Sequence, residues 1–151
     1  MEHAKKVINE LLTDTFNLIL ILEERNLNEN SALDVTMTEI HVIEAIRKVG
    51  LPTMGNVAKK LMITMGTLTT SVNRLVDKGY VTRKRDDKDR RIVLLDLSEK
   101  GEEVFAIHED FHAKLVDAAL ADLELKDDTE MIRSLESIHR FFKKLEEKHQ
   151  K

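Results

Sequence analysis

A small set of histidine and glutamate side chains has the types and spacing of metal ligands. His108 and His112 are four residues apart, so a helix places both imidazoles on one face. His41 and the neighbouring pair Glu23 and Glu24 add further donors, and imidazole nitrogens with carboxylate oxygens suit Zn²⁺. We take Glu24 and the three histidines as a candidate zinc or ligand-pocket set. The alternative is that these histidines line a ligand pocket or satisfy buried polar groups.

A second set, residues 83–91 (RKRDDKDRR), consists entirely of charged side chains between two apolar runs. The surrounding residues 51–91 contain ten Lys and Arg against four Asp, although the whole chain carries a net charge of −4. A local block of positive charge is sufficient for binding the phosphates of DNA. The simpler alternative for 83–91 is a solvated hairpin loop.

The remaining composition argues against enzymes and membrane proteins. The 151 residues include no cysteine, and we find no glycine-rich phosphate loop and no serine in a nucleophile-elbow context. The longest apolar run, residues 18–22, is too short to span a bilayer, and the N-terminus lacks a signal-peptide pattern. We therefore expect a non-enzymatic, cytoplasmic protein that consists of one domain, or of one domain with appended helices, and has no membrane partner.

The elements that position these residues are mostly helices. Apolar spacing predicts a long helix over about 4–30, which is apolar all round from 18 to 22 and so favours a covering partner subunit. Thr36 and Glu39 form a capping-box pattern before a helix that is predicted to stop at Gly50. Two further helices are predicted after Ser98, with a break near 124–128.

Between these helices lies a helix-turn-helix pattern followed by a β-ribbon. A short helix over about 54–61, a break at 62–64 and a second helix to Lys78 are predicted, with Gly79 as the terminating residue. The runs 80–85 and 91–97 then predict two strands around a charged turn. The predicted fold class is mostly α with a small β wing: a winged helix-turn-helix domain plus a helical dimerisation domain.

The second helix of this pattern has two chemically different faces. Leu68, Val72, Leu75 and Val76 form an apolar stripe. The opposite face carries small, polar and basic residues: Gly66, Thr67, Thr70, Asn73 and Arg74. Such a helix can enter a major groove, where hydroxyl and amide groups reach base edges. An ordinary surface helix is the alternative, and the basic ribbon directly after it favours DNA binding.

The chain resembles the MarR family of winged helix-turn-helix repressors over essentially its full length. The resemblance is carried by NVAKKLMITMGTLTTSVNRLVDKGYVTR and DDKDRRIVLLDLSEKG, with Ser98 where the family usually has threonine. It implies that Asp89 braces the wing and that Arg91 is a minor-groove finger. It also implies a homodimer, with residues 1–35 and 99–151 as the dimerisation domain and 36–98 as the DNA-binding domain.

Four stretches extend the resemblance to the fatty-acid-synthesis repressors of Gram-positive bacteria (the FabT type): VINELLTDTFNLILILEERNL, MTEIHVIEAI, HEDFH and LMITMGTLTTSVNRL. That resemblance implies a long-chain acyl-acyl-carrier-protein as corepressor, with the acyl chain between the dimerisation helices and the DNA-binding lobe. Some MarR relatives sense zinc with His and Glu from the same three helices, so a zinc sensor using His41, His108 and His112 is the alternative.

The expected DNA contacts follow from these patterns and from the resemblance. We expect a pseudo-palindromic operator of double-stranded DNA, with two recognition helices in successive major grooves. The residues expected at the DNA are Lys59, Lys60, Thr64, Gly66, Thr67, Thr69, Thr70, Asn73, Arg74, Lys84, Asp89, Arg90 and Arg91. The basic members other than Arg91 are expected mainly at phosphates.

Overall fold

A computed structural model describes residues 1–30, 33–122 and 129–149. The elements in chain order are α1 (Glu2–Glu10), a π-helical turn (Leu11–Thr15), α2 (Phe16–Glu29), α3 (Met37–Lys48), α4 (Met54–Leu61), α5 (Met65–Asp77), β1 (Val81–Arg85), β2 (Val93–Leu97), α6 (Glu99–Asp122) and α7 (Thr129–His149). The fold is mostly helical with a two-stranded antiparallel wing, which confirms the predicted class. The predicted break near 124–128 lies outside the described residues.

The described chain forms two compact units, Met1–His112 and Ala113–Lys151. The first contains α1 to α5, both strands and the start of α6, so it holds both sets of candidate functional residues. The second contains the end of α6 and α7. The division of function at residues 36 and 98 stays a prediction.

The N-terminal helix differs from its prediction in one respect. Instead of one regular helix, α1 and α2 are joined by the π-helical turn at Leu11–Thr15. Within this turn the hydroxyl of Thr13 donates a hydrogen bond to the carbonyl of Asn9 at 2.9 Å. A threonine that bonds back to the helix competes with the regular backbone pattern, and a π turn shifts the phase of the residues that follow.

A capping box begins α3, as predicted. Thr36 Oγ1 accepts from the backbone N–H of Glu39 at 3.2 Å, and the Glu39 carboxylate accepts from the N–H of Thr36 at 2.8 Å. The helix ends at Lys48, with Val49 already in an extended conformation, so it stops slightly before the predicted Gly50.

Two left-handed residues shape the helix-turn-helix. Met62 has φ 56°, and the next N–H, of Ile63, donates to the carbonyl of Ala58 at 3.1 Å, which turns the chain from α4 into α5. Gly79, with φ 79°, follows α5 as predicted. A glycine suits this position because the left-handed region is strained for residues with a Cβ.

The wing is anchored on both sides. β1 and β2 pair antiparallel, with Val81 opposite Leu97 and Arg83 opposite Leu95. On the other side of β2, the N–H of Leu95 donates to the carbonyl of Pro52 at 2.8 Å. Because Pro52 lies just before α4, this bond holds the wing against the helix-turn-helix.

The hydrophobic core fixes the orientation of α5. Leu68, Val72 and Leu75 are fully buried, which confirms the predicted stripe, and Val76 is half-buried. They share the core with fully buried residues from α3, α4, the position before β1, both strands and α6: Val42, Ile43, Val57, Tyr80, Val81, Leu95 and Val104. Burying this stripe places the opposite, polar face of α5 in solvent.

A close approach joins the wing to α6. Ser98 Oγ accepts from the N–H of Gly101 at 3.1 Å and donates to the carbonyl of Gly79 at 2.7 Å. A Cβ atom on Gly101 would lie 2.2 Å from the carbonyl oxygen of Tyr80. Only glycine therefore fits at position 101 without a shift of the backbone.

Large apolar side chains of both units are exposed in the single chain. On α2, Phe16 is 56% exposed, Leu18 58% and Leu20 55%. On α7, in the second unit, Phe141 is 60% exposed. Among the described residues, no helix is both long enough and apolar enough to cross a membrane.

Candidate nucleic-acid interface and histidine cluster

Threonines organise the N-terminus of α5. Thr64 Oγ1 accepts from the backbone N–H of Thr67 at 3.2 Å, so Thr64 caps the helix as predicted. The hydroxyls of Thr64 and Thr67 are 2.9 Å apart and share a further hydrogen bond. Both side chains are exposed together with Gly66, so the first turn of α5 offers small polar groups to a binding partner.

The next threonines are oriented by the helix backbone. Thr69 donates its hydroxyl proton to the carbonyl of Met65 at 2.7 Å, and Thr70 donates to that of Gly66 at 3.1 Å. A hydroxyl whose proton is engaged in this way keeps free lone pairs. Both exposed oxygens are therefore available as acceptors, which suits the amino groups at the base edges of adenine and cytosine.

Further along the same face, α5 is tied to the wing. Nη2 of Arg83 on β1 donates to Oδ1 of Asn73 at 2.6 Å. Asn73, Arg83 and the adjacent Arg74 are all exposed. The sequence alone does not reveal this bond, because the two partners lie on different elements and no periodic pattern relates them.

At the wing tip, aspartates hold the backbone. Asp86 Oδ1 accepts from the N–H groups of Lys88 and Asp89 at 2.9 and 2.8 Å. Asp89 Oδ1 accepts from the backbone N–H of Arg91 at 3.0 Å. Arg90 and Arg91 are exposed. The bracing role expected of Asp89 therefore has a structural counterpart in its bond to the backbone of Arg91.

The other basic candidates differ in their surroundings. Lys84 on β1 forms an ion pair with Asp96 on β2, a partner that was not anticipated. Lys59 and Lys60 are exposed in the last turn of α4. A phosphate contact by Lys84 would thus have to compete with a carboxylate, whereas Lys59 and Lys60 stand at the open surface.

The histidines and a buried carboxylate form a cluster between α2, α3 and α6. Glu23, His41 and His108 each offer a ligand atom, and these atoms lie within 4.8 Å of one another. Nε2 of His112 lies 3.1 Å from Oε1 of Glu23 and 3.1 Å from Nε2 of His108. Glu23 and His108 are buried, and the other two histidines are half-buried.

The structure corrects one member of the expected set. Glu24 is exposed, whereas the neighbouring Glu23 is 6% exposed and lies beside the histidines. Successive residues of a helix point about 100° apart, so only one of two adjacent glutamates can face the cluster. Glu23 therefore takes the position that was expected for Glu24.

A second carboxylate, that of Glu44, links His108 of this cluster to an ion-pair network between α3 and α6. Glu44 lies 3.8 Å from His108 and 2.7 Å from Nζ of Lys48, which also lies 2.6 Å from Glu109. Burial raises the pKa of Glu44, but the hydrogen bond and charge of Lys48 outweigh it and the pKa is lowered. Burial and the charge of His112 lower the pKa of His108, which favours its neutral, metal-binding form.

A small cavity adjoins the cluster. It has an accessible volume of about 10 Å³, which is room for one water molecule. Its lining combines Glu23 and His108 of the cluster with apolar residues of α2, α3 and α6, including Leu27, Met37 and Ile107. A larger ligand could enter at this place only if the helices moved apart.

Comparison with known proteins agrees with this architecture. Residues 35–93, from just before α3 to the start of β2, match the model of the MarR family. The multiple antibiotic resistance protein MarR of Escherichia coli is 30% identical over 130 residues, which cover 81% of this chain and 90% of that protein.

Solved structures give the same result. The chain is similar to Streptococcus pneumoniae FabT in complex with DNA, with 37% identity, a TM-score of 0.85, and coverage of 93% of this chain and 99% of that one. A Staphylococcus aureus MarR in complex with salicylate and kanamycin has 21% identity, a TM-score of 0.77, and coverage of 95% and 94%. The second similarity concerns the fold alone.

Proposed function

The chain belongs to the MarR family of DNA-binding transcription regulators, and we propose that it is a homodimeric repressor of fatty-acid-synthesis genes. Membership of the family makes it a regulator and not an enzyme. The fatty-acid assignment is carried by one observation, the similarity to FabT over nearly the whole of both chains. It agrees with the resemblance that the first helix and the HEDFH segment already carry.

In this proposal, two recognition helices α5 enter successive major grooves of a pseudo-palindromic operator. Thr67, Thr69, Thr70 and Asn73 contact bases or nearby phosphates. Their exposure on the face opposite the buried stripe supports this role. Lys59, Lys60, Arg74, Lys84 and Arg90 bind mainly phosphates, and Arg91 enters the minor groove.

The exposed apolar side chains of α1, α2 and α7 support the homodimer. A monomeric protein rarely exposes so many large apolar residues on its terminal helices. A second copy that covers Phe16, Leu18 and Leu20 would remove this surface from water. The family's dimerisation agrees with this use of the terminal helices.

The proposed corepressor is a long-chain acyl group carried by acyl carrier protein. A ligand shifts a regulator toward its DNA-binding state only if it binds that state more tightly. The water-sized cavity, whose apolar lining includes Leu27, Met37 and Ile107, is the space that an acyl chain would have to open. Binding there would change the separation of α2, α3 and α6, and with it the spacing of the two recognition helices.

Operator binding with matched ligands tests this proposal. DNA from the promoters of fatty-acid-synthesis genes is titrated with the protein alone, and with acyl-acyl-carrier-protein, unacylated carrier protein, free fatty acid or Zn²⁺. The proposal expects tighter binding with the acylated carrier protein only. Equal affinity with acylated and unacylated carrier protein would rule out the acyl corepressor.

A zinc-sensing regulator is the second candidate, and the histidine cluster favours it. Three histidines and Glu23 converge, and their donor types fit Zn²⁺. The cluster lies beside the cavity proposed for the acyl chain, so the same residues could instead line that pocket. Glu23, His41, His108 and His112 would hold the metal, which on binding would draw α2, α3 and α6 together.

A further inference from the structure

The bond between Asn73 and Arg83 has a defined polarity. A guanidinium has only hydrogen-bond donors, so an amide that faces it at 2.6 Å must do so with its oxygen. The amide nitrogen Nδ2 of Asn73 is then left as the group available to another partner. Asn73 is exposed on the face of α5 that we assign to the major groove, where an N–H donor can reach the acceptors of a base edge.

We propose that Arg83 is a positioning residue that makes Asn73 a hydrogen-bond donor, so that the pair selects guanine in the operator. This inference rests on the proposed DNA-binding role of α5. Beyond that role, the inference specifies which base is recognised by one residue of the recognition helix.

The chemistry of the base edges decides between guanine and adenine. An unrestrained asparagine pairs with adenine by accepting from N6 and donating to N7. Here a cation is bonded to the acceptor oxygen, and its charge repels the amino hydrogens of adenine and cytosine. Guanine instead offers two acceptors, N7 and O6, and Nδ2 of Asn73 is a donor that can bond to either of them.

Arg83 differs from the neighbouring basic residues of β1 in the partner of its charged group. Lys84 points to the other side of the strand and is paired with Asp96, which offsets its charge. Arg83 is bonded to a neutral amide, so it keeps its full positive charge beside the recognition helix. Arg85 is exposed two residues further on, on the same side of the strand, and provides a matched control.

Selection from a random pool of duplex DNA, followed by sequencing, tests the proposal with the full chain. We expect the wild type to enrich guanine at one position of each half-site. Asn73→Asp keeps the bond to Arg83 but has no donor, so it should lose guanine at that position. Arg83→Ala frees the amide and should lower the preference for guanine over adenine there by about tenfold. Arg83→Lys should keep guanine, and Arg85→Ala should weaken binding without changing the selected base.

Several results would overturn the proposal. One is a wild-type base profile in Asn73→Asp or Arg83→Ala. Another is the loss of the guanine preference in Arg83→Lys. A third is an Arg83→Ala protein whose DNA binding is weakened equally on all sequences. Thermal unfolding verifies that each variant folds, and Asn73→Asp decides alone if Arg83→Ala does not. If the wild type enriches no sequence, the proposed operator binding itself fails. If the wild type enriches an operator but the variants show the same base profile, operator binding stands and only the positioning role is excluded.

Discussion

The carboxylate of Asp89 accepts a hydrogen bond from the backbone N–H of Arg91 at 3.0 Å. The aspartate thus holds the backbone at the wing tip, together with the two bonds accepted by Asp86. Among the ion pairs of the described residues, none involves the guanidinium of Arg91. The fold therefore orders the backbone of Arg91 while its side chain stays exposed.

Arg91→Ala should weaken operator binding by about tenfold or more, because the loss of one groove-reading arginine has that effect. The thermal unfolding midpoint should not change, since Arg91 is exposed. Affinity is measured at fixed salt on the selected operator. Lys88→Ala, which removes another exposed charge of the same turn, is the matched control and should have a smaller effect. An Arg91→Ala protein with wild-type affinity would exclude the minor-groove role.

Lys59→Ala should weaken binding to all sequences alike, because a phosphate contact carries no base information. The slope of log affinity against log salt should become shallower by about one unit. Thr70→Val provides the contrast, since it should alter base preference and leave the salt slope unchanged. These slopes are read from titrations over a series of salt concentrations. An unchanged slope in Lys59→Ala would show that Lys59 does not contact a phosphate.

His108→Ala should lower zinc affinity by more than the roughly 10- to 100-fold loss that is typical of residues outside the ligand set. His3→Ala removes an exposed histidine of α1 and should have no effect. Because protons compete with the metal for imidazole, zinc affinity should fall as the pH decreases through the histidine range. Chelator-competition titration measures these affinities. No binding at micromolar zinc, or wild-type affinity in His108→Ala, would eliminate the zinc-sensor candidate.

Gly101→Ala should destabilise the fold by about 1–3 kcal/mol, because its Cβ would overlap the carbonyl oxygen of Tyr80. Gly55→Ala is the matched control: position 55 lies in α4 with nothing near its Cβ. That change should stabilise by about 0.4–1 kcal/mol. Urea unfolding at one protein concentration compares the two variants. Equal stabilities would mean that the backbone at the junction of the wing and α6 shifts at little cost in free energy to accommodate the Cβ atom.

Features that depend on residues three or four apart were predictable from the sequence. The capping box of Thr36 and Glu39, the threonine cap of α5 and the buried stripe through Leu68 and Leu75 are all present. Each is decided within one or two helical turns, so the local order of side chains contains the required information.

Features that depend on helix phase or on contacts between elements were not predictable. The choice between Glu23 and Glu24 depends on the rotation of α2, which follows a π turn that breaks the regular periodicity. The bond from Arg83 to Asn73 and the pairing of Lys84 with Asp96 depend on the register of the wing and its packing against α5.

By itself, the sequence determined the order of the helices, the position of the wing and the polar face of the recognition helix, because periodicity, caps and turn residues act locally. Only the tertiary structure decided which of these polar side chains bond to one another. Asn73 bonds to an arginine of the wing, and Glu23 lies against the histidines. Such partners are chosen by packing, since the burial of apolar residues sets which polar groups of different elements come within hydrogen-bond distance of one another.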